Sequence, residues 1–211
     1  MAAIAPLRAY THNLAGSLAG VIAFGACSWL QSSPNVWFGV AFAAALPLLA
    51  RPAHGERRPA LLTIAVSIAC IIGSLVMVRV MSRDTLWSPY YKVQVKQEGP
   101  DTVVEVNNIF HQSMARVDQK EYFYQWPYTA FGETFGDVLI LGAGSGTDVA
   151  AALRHGARTV DAVEIDPTII RLGRENHPDR PYDDPRVTVH NDDARHFLRT
   201  STKKYDLVVF A

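Results

Sequence analysis

"VLILGAGSGTDVAAAL", Val138 to Leu153, decides the fold. An apolar run of strand character stops at a turn in which Gly142, Gly144 and Gly146 alternate with Ala143 and Ser145. An alanine-rich run of helical character follows. Glycines at that spacing suit a backbone that must turn sharply and let a ligand approach the main chain. The start of the following helix adds unpaired N–H groups and the positive end of a dipole. A glycine turn alone says little, so its surroundings carry the argument.

Downstream, the pattern repeats. The strand Asp137 to Leu141 leads through the glycines into a helix, Asp148 to His155, ended by Gly156. A second strand, Thr159 to Ile165, closes on "VEID", and a helix from Pro167 to Glu175 follows. A third strand, Val187 to His190, closes on "NDDA", and a fourth, Tyr205 to Phe210, runs to the last residues. Alternation of this kind predicts a doubly wound parallel sheet, whose ligands bind outside the carboxyl ends of the strands. Glu164 lies about 20 residues past the glycines, where an acid can accept both hydroxyls of a ribose. Asp193, beside Asp192, stands where an acid could meet the amino group of an adenine. Each carboxylate alone reads as a solvated loop acid. At successive strand ends, with the glycine turn, they point to a nucleoside. The third glycine comes one residue too early for the G-x-G-x-x-G dinucleotide fingerprint, and the whole is similar to the S-adenosylmethionine-binding fold.

Upstream, "YKVQVKQ" and "TVVEVNN" alternate in strand fashion around "EGPD" (Glu98 to Asp101), which predicts a β-hairpin. Between hairpin and sheet, "EYFYQWPYTAF" (Glu121 to Phe131) is dense in aromatics that serve equally as core or as the wall of a ligand pocket. Farther back the composition changes. The chain has 211 residues and no net formal charge, so it lacks the basic surplus of a nucleic-acid binder and no nucleic-acid partner is expected. Residues 1–82, however, hold a single carboxylate, Glu56. Leu14 to Leu30, Val36 to Ala50 and Ala60 to Val78 are apolar and uncharged, and "QSSPN" (Gln31 to Asn35) turns the chain between the first two. Three such runs predict membrane helices, the first two as a tight hairpin with Gly16, Ser17, Gly20 and Gly25 permitting close approach. Cys27 and Cys70 lie in these runs, and no disulfide framework is expected. Arg51, Arg57 and Arg58 place the second loop in the cytoplasm by the positive-inside rule, whereas Arg79 and Arg83 favour a cytoplasmic C-terminal part. Trp87, Tyr90 and Tyr91 suit either a membrane interface or a core. The histidines show no metal-ligand spacing, and no metal is expected. Three domains are therefore expected: 1–82 transmembrane helices, 83–131 a linker with a β-hairpin unit, and 132–211 a partial Rossmann-like α/β sheet of the S-adenosylmethionine-binding type.

"SPYYKVQV", "VLILGAGSG", "VEIDPTII", "DDPRVTVHNDDARHFL" and "KYDLVVF" together resemble the spermidine synthases, or polyamine aminopropyltransferases. The apolar N-terminal part is similar to membrane-fused members of that family. The resemblance implies decarboxylated S-adenosylmethionine as donor and a diamine such as putrescine as acceptor, with carboxylates to hold the cationic amine and take its proton. It implies Gly142, Ala143, Gly144, Ser145 and Gly146 around the methionine end of the cofactor. Glu164 and Ile165 would lie at the ribose, Asp192, Asp193 and Ala194 at the adenine, and Tyr124 and Gln125 near the amine.

Departures accompany it. Ser145 stands where the family carries an aspartate, and Tyr91 where it carries a glutamine. Tyr124-Gln125-Trp126 replaces a Tyr-His-Glu run. The family's catalytic aspartate falls beyond Ala211. On this reading the chain is expected to be a C-terminally truncated piece of a longer protein, with an incomplete sheet, and inactive alone. Two alternatives stay open. Ser145 suits an S-adenosylmethionine-dependent methyltransferase, because it would not repel the carboxylate of the intact cofactor. Depleted amine-binding acids suit a non-catalytic membrane protein that keeps a nucleoside-binding fold. A multi-pass location in the cell membrane with a cytoplasmic α/β domain is expected, with lipid and a small polyamine as partners and a homodimer as one option for assembly.

Overall fold

The computed structural model of the chain describes residues 6–49, 61–131 and 134–211. Internal packing divides it into two compact units, Met1–Pro89 and Tyr90–Ala211.

The first unit is built from α1 (Pro6–Trp29), α2 (Pro34–Leu49), α3 (Leu61–Met81) and the short strand β1 (Thr85–Trp87). At the "QSSPN" turn Gln31 takes a left-handed φ of 52°. The Ser32 hydroxyl donates to the Cys27 carbonyl at 2.7 Å and accepts from Trp37 Nε1 at 2.9 Å. Phe24 meets Trp37 edge-on at 5.2 Å, and Trp37 meets Trp87 likewise at 5.0 Å. Small residues of α1 (Gly16, Ala19, Gly20, Ala23) share an apolar groove with Val40 and Ala41 of α2. The first helix starts at Pro6, well before the apolar run at Leu14, because a helix needs backbone bonds and not apolar side chains, and proline is preorganised for its first turn. That extension matters for the membrane expectation. Among the described residues one helix is long and apolar enough to cross a bilayer, the 18 residues Ile64–Met81, none of them buried. The second is too short, and the first is diluted by Thr11, His12, Asn13 and several glycines and serines. Arg51, Arg57 and Arg58, on which the loop orientation rested, lie outside the described residues.

In the second unit β2 (Lys92–Glu98), β3 (Asp101–Val106) and β4 (Ile109–Met114) form an antiparallel meander. The predicted hairpin is its first half. Asn107 and Asn108 both take left-handed φ values, 53° and 65°, as a two-residue hairpin turn requires, and so begin a third strand that the sequence reading did not assign. A register shift between Val104 and Glu105 marks an irregularity in the β3–β4 pairing. Single 3₁₀ turns at Val117–Gln119 and Tyr122–Tyr124 and the short helix α4 (Trp126–Phe131) lead to the sheet. Tyr128 is buried there, while Tyr122, Phe123, Trp126 and Phe131 are exposed.

Four parallel strands follow, β5 (Asp137–Leu141), β6 (Thr159–Glu164), β7 (Val187–Asn191) and β8 (Leu207–Phe210), in the order β7-β6-β5-β8. The helices α5 (Thr147–Arg154), α6 (Pro167–Asn176) and α7 (Ala194–Thr200) lie between successive strands in the chain. Val138, Leu139, Ile140 and Leu141 are buried on both faces of β5, as apolar runs in parallel sheets are. Val138, Ile140, Val149, Ala151, Val160 and Ala162 form the core on one face, and Leu139, Leu141, Val163 and Phe197 the core on the other. The fourth strand begins at Leu207 and not at Tyr205, because Asp206 turns its carboxylate onto the Gly136 and Asp137 amides (3.0 and 2.8 Å). Strand order reverses between β5 and β8, which puts the crevice for a ligand at their carboxyl ends. The glycine turn occupies that place.

Candidate functional site

Gly142, Gly144 and Gly146 have φ of 78°, 57° and 104°, conformations that a side chain strains. Space adds a second reason at two of them. A Cβ on Gly144 would stand 2.5 Å from Gln112 Oε1, and one on Gly146 would stand 2.7 Å from Cγ of Pro181. The Gly142 and Ala143 amides donate to the Val163 carbonyl at 2.9 and 3.0 Å, which ties the turn to the end of β6. Ala211, past β8, donates its amide to the Leu141 carbonyl at 3.0 Å. The three strand ends thus converge on the turn.

Glu164 closes that arrangement. Its Oε2 accepts the Gly144 N–H at 2.9 Å, and its Oε1 accepts the Asp166 N–H at 2.8 Å. A buried carboxylate gripping the turn can still accept a ribose hydroxyl through remaining lone pairs. Ile165 is half-buried, and its carbonyl accepts Asn191 Nδ2 at 2.8 Å. Asp166 is fully buried and caps α6, accepting the Thr168 N–H at 2.8 Å.

Ser145 is fully buried; its amide and hydroxyl both donate to Gln112 Oε1, at 3.1 and 3.2 Å. Gln112 comes from β4. Its Nε2 is buried without a partner among the described residues, which leaves a donor beside the turn. Tyr182 covers the other side: its hydroxyl donates to the Gly144 carbonyl at 2.6 Å, and burial drives its acidity far below that of a free phenol. Neither residue was found from sequence. The Asn107-Asn108 turn was the available signal for Gln112, since it implies a strand that returns past the sheet. Tyr182 carries no signal of its own.

Asp192 and Asp193, which follow β7, already have partners within the chain. Asp193 caps α7, its Oδ1 accepting the Arg195 and His196 amides at 2.8 and 3.2 Å. Asp192 accepts from the His196 ring at 2.8 Å, a hydrogen bond that holds its carboxyl below the usual range. Ala194 packs against the Leu139–Phe197 core.

Tyr124 is half-buried against the core that includes Val149 and Ala150. Burial, then the negative charge of Asp148, raises its hydroxyl's pKa. Gln125 turns its Nε2 to the Val117 carbonyl at 3.3 Å, a bond within the chain. Asp148, in the first turn of α5, was not singled out from sequence. Burial pushes its carboxyl up to about 6, with the Lys120 ammonium pulling the other way. Among the described residues no three His, Cys, Asp or Glu gather as metal ligands.

Residues 128–211 match the family model "Spermine/spermidine synthase domain". A polyamine aminopropyltransferase of Streptomyces coelicolor is 38% identical over 99 residues, 44% of this chain and 19% of that protein. One from Hamiltonella defensa is 32% identical over 105 residues, 48% of this chain and 33% of that protein. The chain therefore spans 19% to 33% of the length of these curated relatives. The crystal structure of spermidine synthase from Thermotoga maritima superposes with a TM-score of 0.50 at 17% identity, over 60% of this chain and 46% of that one, a likeness of fold. From Tyr128 to Ala211, glycine turn and strand-end acids included, the chain is similar to the spermine/spermidine synthase domain.

Proposed function

We propose that the α/β unit is the donor-binding part of a spermidine synthase-like aminopropyltransferase. The donor is decarboxylated S-adenosylmethionine and the acceptor a small amine of the polyamine class. One observation carries this reading: the glycine turn, Glu164 and the end of β8 converge at the strand-order reversal, inside the segment that matches the synthase domain. The residues present suit the donor. Glu164 would take a ribose hydroxyl on its remaining lone pairs, Asp193 and Ala194 would meet the adenine edge, and the unpartnered Gln112 Nε2 offers a donor beside the glycine turn. That donor supplies a carbon made electrophilic by its positive sulfur. The chain's own task is to fix the arm by backbone contact and to exclude water, so that proximity lowers the barrier to attack by a neutral amine. Isothermal titration with decarboxylated S-adenosylmethionine and with 5′-methylthioadenosine tests the reading. Binding of both, lost in Glu164→Gln, is expected. Absence of nucleoside binding overturns it.

Ser145 favours a second reading, a methyltransferase using intact S-adenosylmethionine. Tighter binding of the intact than of the decarboxylated cofactor would select it. We also propose that the chain is held at the cell membrane through Ile64–Met81, with the α/β unit on the cytoplasmic side where such donors are made. Release of the full chain from membranes by alkaline carbonate would exclude an integral anchor.

A further inference from the structure

Lys120 lies in the loop between the two 3₁₀ turns, and its side chain is 5% exposed. A lysine is rarely buried without a partner for its charge, because desolvating an ammonium is costly. Here Nζ donates to the Ser113 hydroxyl at 2.8 Å and to the Ser113 carbonyl at 3.1 Å, both neutral acceptors. The same nitrogen lies 5.2 Å from the centroid of the Tyr124 ring, within range of a cation–π contact. Ser113 directly follows Gln112, the residue whose amide oxygen holds Ser145. Lys120 thus bonds the residue next to Gln112 in β4, the strand that also reaches the glycine turn. One carboxylate lies within ion-pair distance of the ammonium. Glu121 stands at 3.8 Å but is largely exposed, and Asp148 acts on it from the first turn of α5. His177, buried and uncharged near neutral pH, is the other titratable group within its field.

We infer that Lys120 is an acceptor-specificity residue: its ammonium occupies, from within the chain, the cation position over Tyr124 that the ammonium of a diamine would take. This rests on the synthase-like reading of the site. An aromatic face with a carboxylate at hand is what an alkylammonium seeks from a pocket, and here the protein's own ammonium has both. An incoming diamine meets a like charge and loses the Tyr124 face. Like-charge juxtaposition of this kind costs enough to discriminate between ligands. The site then disfavours free diamines and leaves room for an acceptor that brings no second cation to this position.

The test uses residues 1–211 in detergent micelles, titrated with putrescine as the diamine and, separately, with 5′-methylthioadenosine. Two neutral variants are compared, Lys120→Met and Lys120→Gln, the second retaining a donor for Ser113; Lys120→Arg keeps the charge. Removing the charge should tighten putrescine binding by about tenfold or more in at least one neutral variant, with Lys120→Arg near the parent. Unchanged or weaker putrescine binding in every neutral variant that folds, or equal tightening in Lys120→Arg, overturns the inference. The nucleoside titration separates the two readings. If no form binds 5′-methylthioadenosine, the donor-site reading fails, while the putrescine comparison still decides the role of Lys120.

Discussion

The Gly144 amide donates to Glu164 Oε2 across 2.9 Å, so a single buried carboxylate fastens the glycine turn to the end of the neighbouring strand. The other oxygen of that carboxylate fastens the Asp166 amide, at the start of α6. Structure and candidate ribose contact therefore share one side chain. Replacing Glu164 by Ala strands two N–H groups, and hydrogen bonds to charged groups contribute roughly 1.5–3 kcal/mol each. Glu164→Ala is expected to lower unfolding free energy by about 2–4 kcal/mol, and Glu164→Gln by less, since its amide oxygen still accepts one of the two donors. Thermal denaturation followed by circular dichroism checks this. Wild-type stability in Glu164→Ala would contradict the clamp.

Gly173 makes a case in which local propensity and packing disagree. Alanine in a helix is favoured over glycine by up to about 1 kcal/mol, so Gly173→Ala in α6 should stabilise. The added Cβ, however, would stand 2.5 Å from the Ser145 carbonyl oxygen and 2.9 Å from its carbon. Those are backbone atoms of the glycine turn and cannot swing aside. The expected outcome is destabilisation by about 1–3 kcal/mol, with weakened nucleoside binding because the turn itself must shift. Chemical denaturation paired with 5′-methylthioadenosine titration reads both effects.

Two buried groups tilt stability in opposite directions as pH changes. Asp148 has a folded pKa of about 6, above the ordinary carboxylate value, chiefly through burial. Between about pH 4 and 6 the folded state then holds the proton that the unfolded chain has released, and stability falls as pH rises. His177 has a folded pKa of about 4, below the usual imidazole value, again through burial. Across about pH 4 to 6.5 the unfolded chain holds the extra proton, and stability rises with pH. At about 1.4 kcal/mol per pKa unit the two slopes are of similar size and largely cancel. Asp148→Asn should expose the rising slope and His177→Gln the falling one. Denaturation midpoints at pH values from about 4.5 to 6.5 provide the measurement, and parallel profiles in both variants would refute the pairing.

The sheet was legible first at β5, where Val138 to Leu141 is a continuous apolar run that parallel packing buries on both faces, and then from the strands and helices that alternate after it. Glu164 was legible as the acid that ends the second strand of the alternating pattern. What escaped notice depends on contacts between distant segments. Gln112 reaches Ser145 from 33 residues away, and Tyr182 reaches Gly144 from 38. Nothing in "HQSM" shows that its glutamine faces a glycine turn, because the register shift at Val104 and Glu105 breaks the period-two alternation that assigns faces. Asp193 was read for its position and not for its work as a helix cap, although "D-A-R-H" before a helix also fits a cap. Lys120 reads as an ordinary charge in a polar loop until Ser113 and Tyr124 are seen around it.

The apolar helix makes a separate prediction. Ile64–Met81 spans 18 residues, about 27 Å at 1.5 Å per residue, close to a hydrocarbon core of roughly 30 Å. None of these residues is buried by other parts of the chain, whereas a core helix of a water-soluble unit would be mostly covered. Arg79 sits in its last turn, where its long side chain can reach the interface from a helix end. Ile72, at the middle of the span and exposed, is the position most sensitive to charge. An arginine at a span centre costs about 2.5–3.5 kcal/mol on insertion scales. Ile72→Arg should therefore move a measurable fraction of the chain out of the carbonate-resistant membrane pellet, while Ile72→Leu should not. If both variants partition as the parent does, the proposed anchoring through this helix fails.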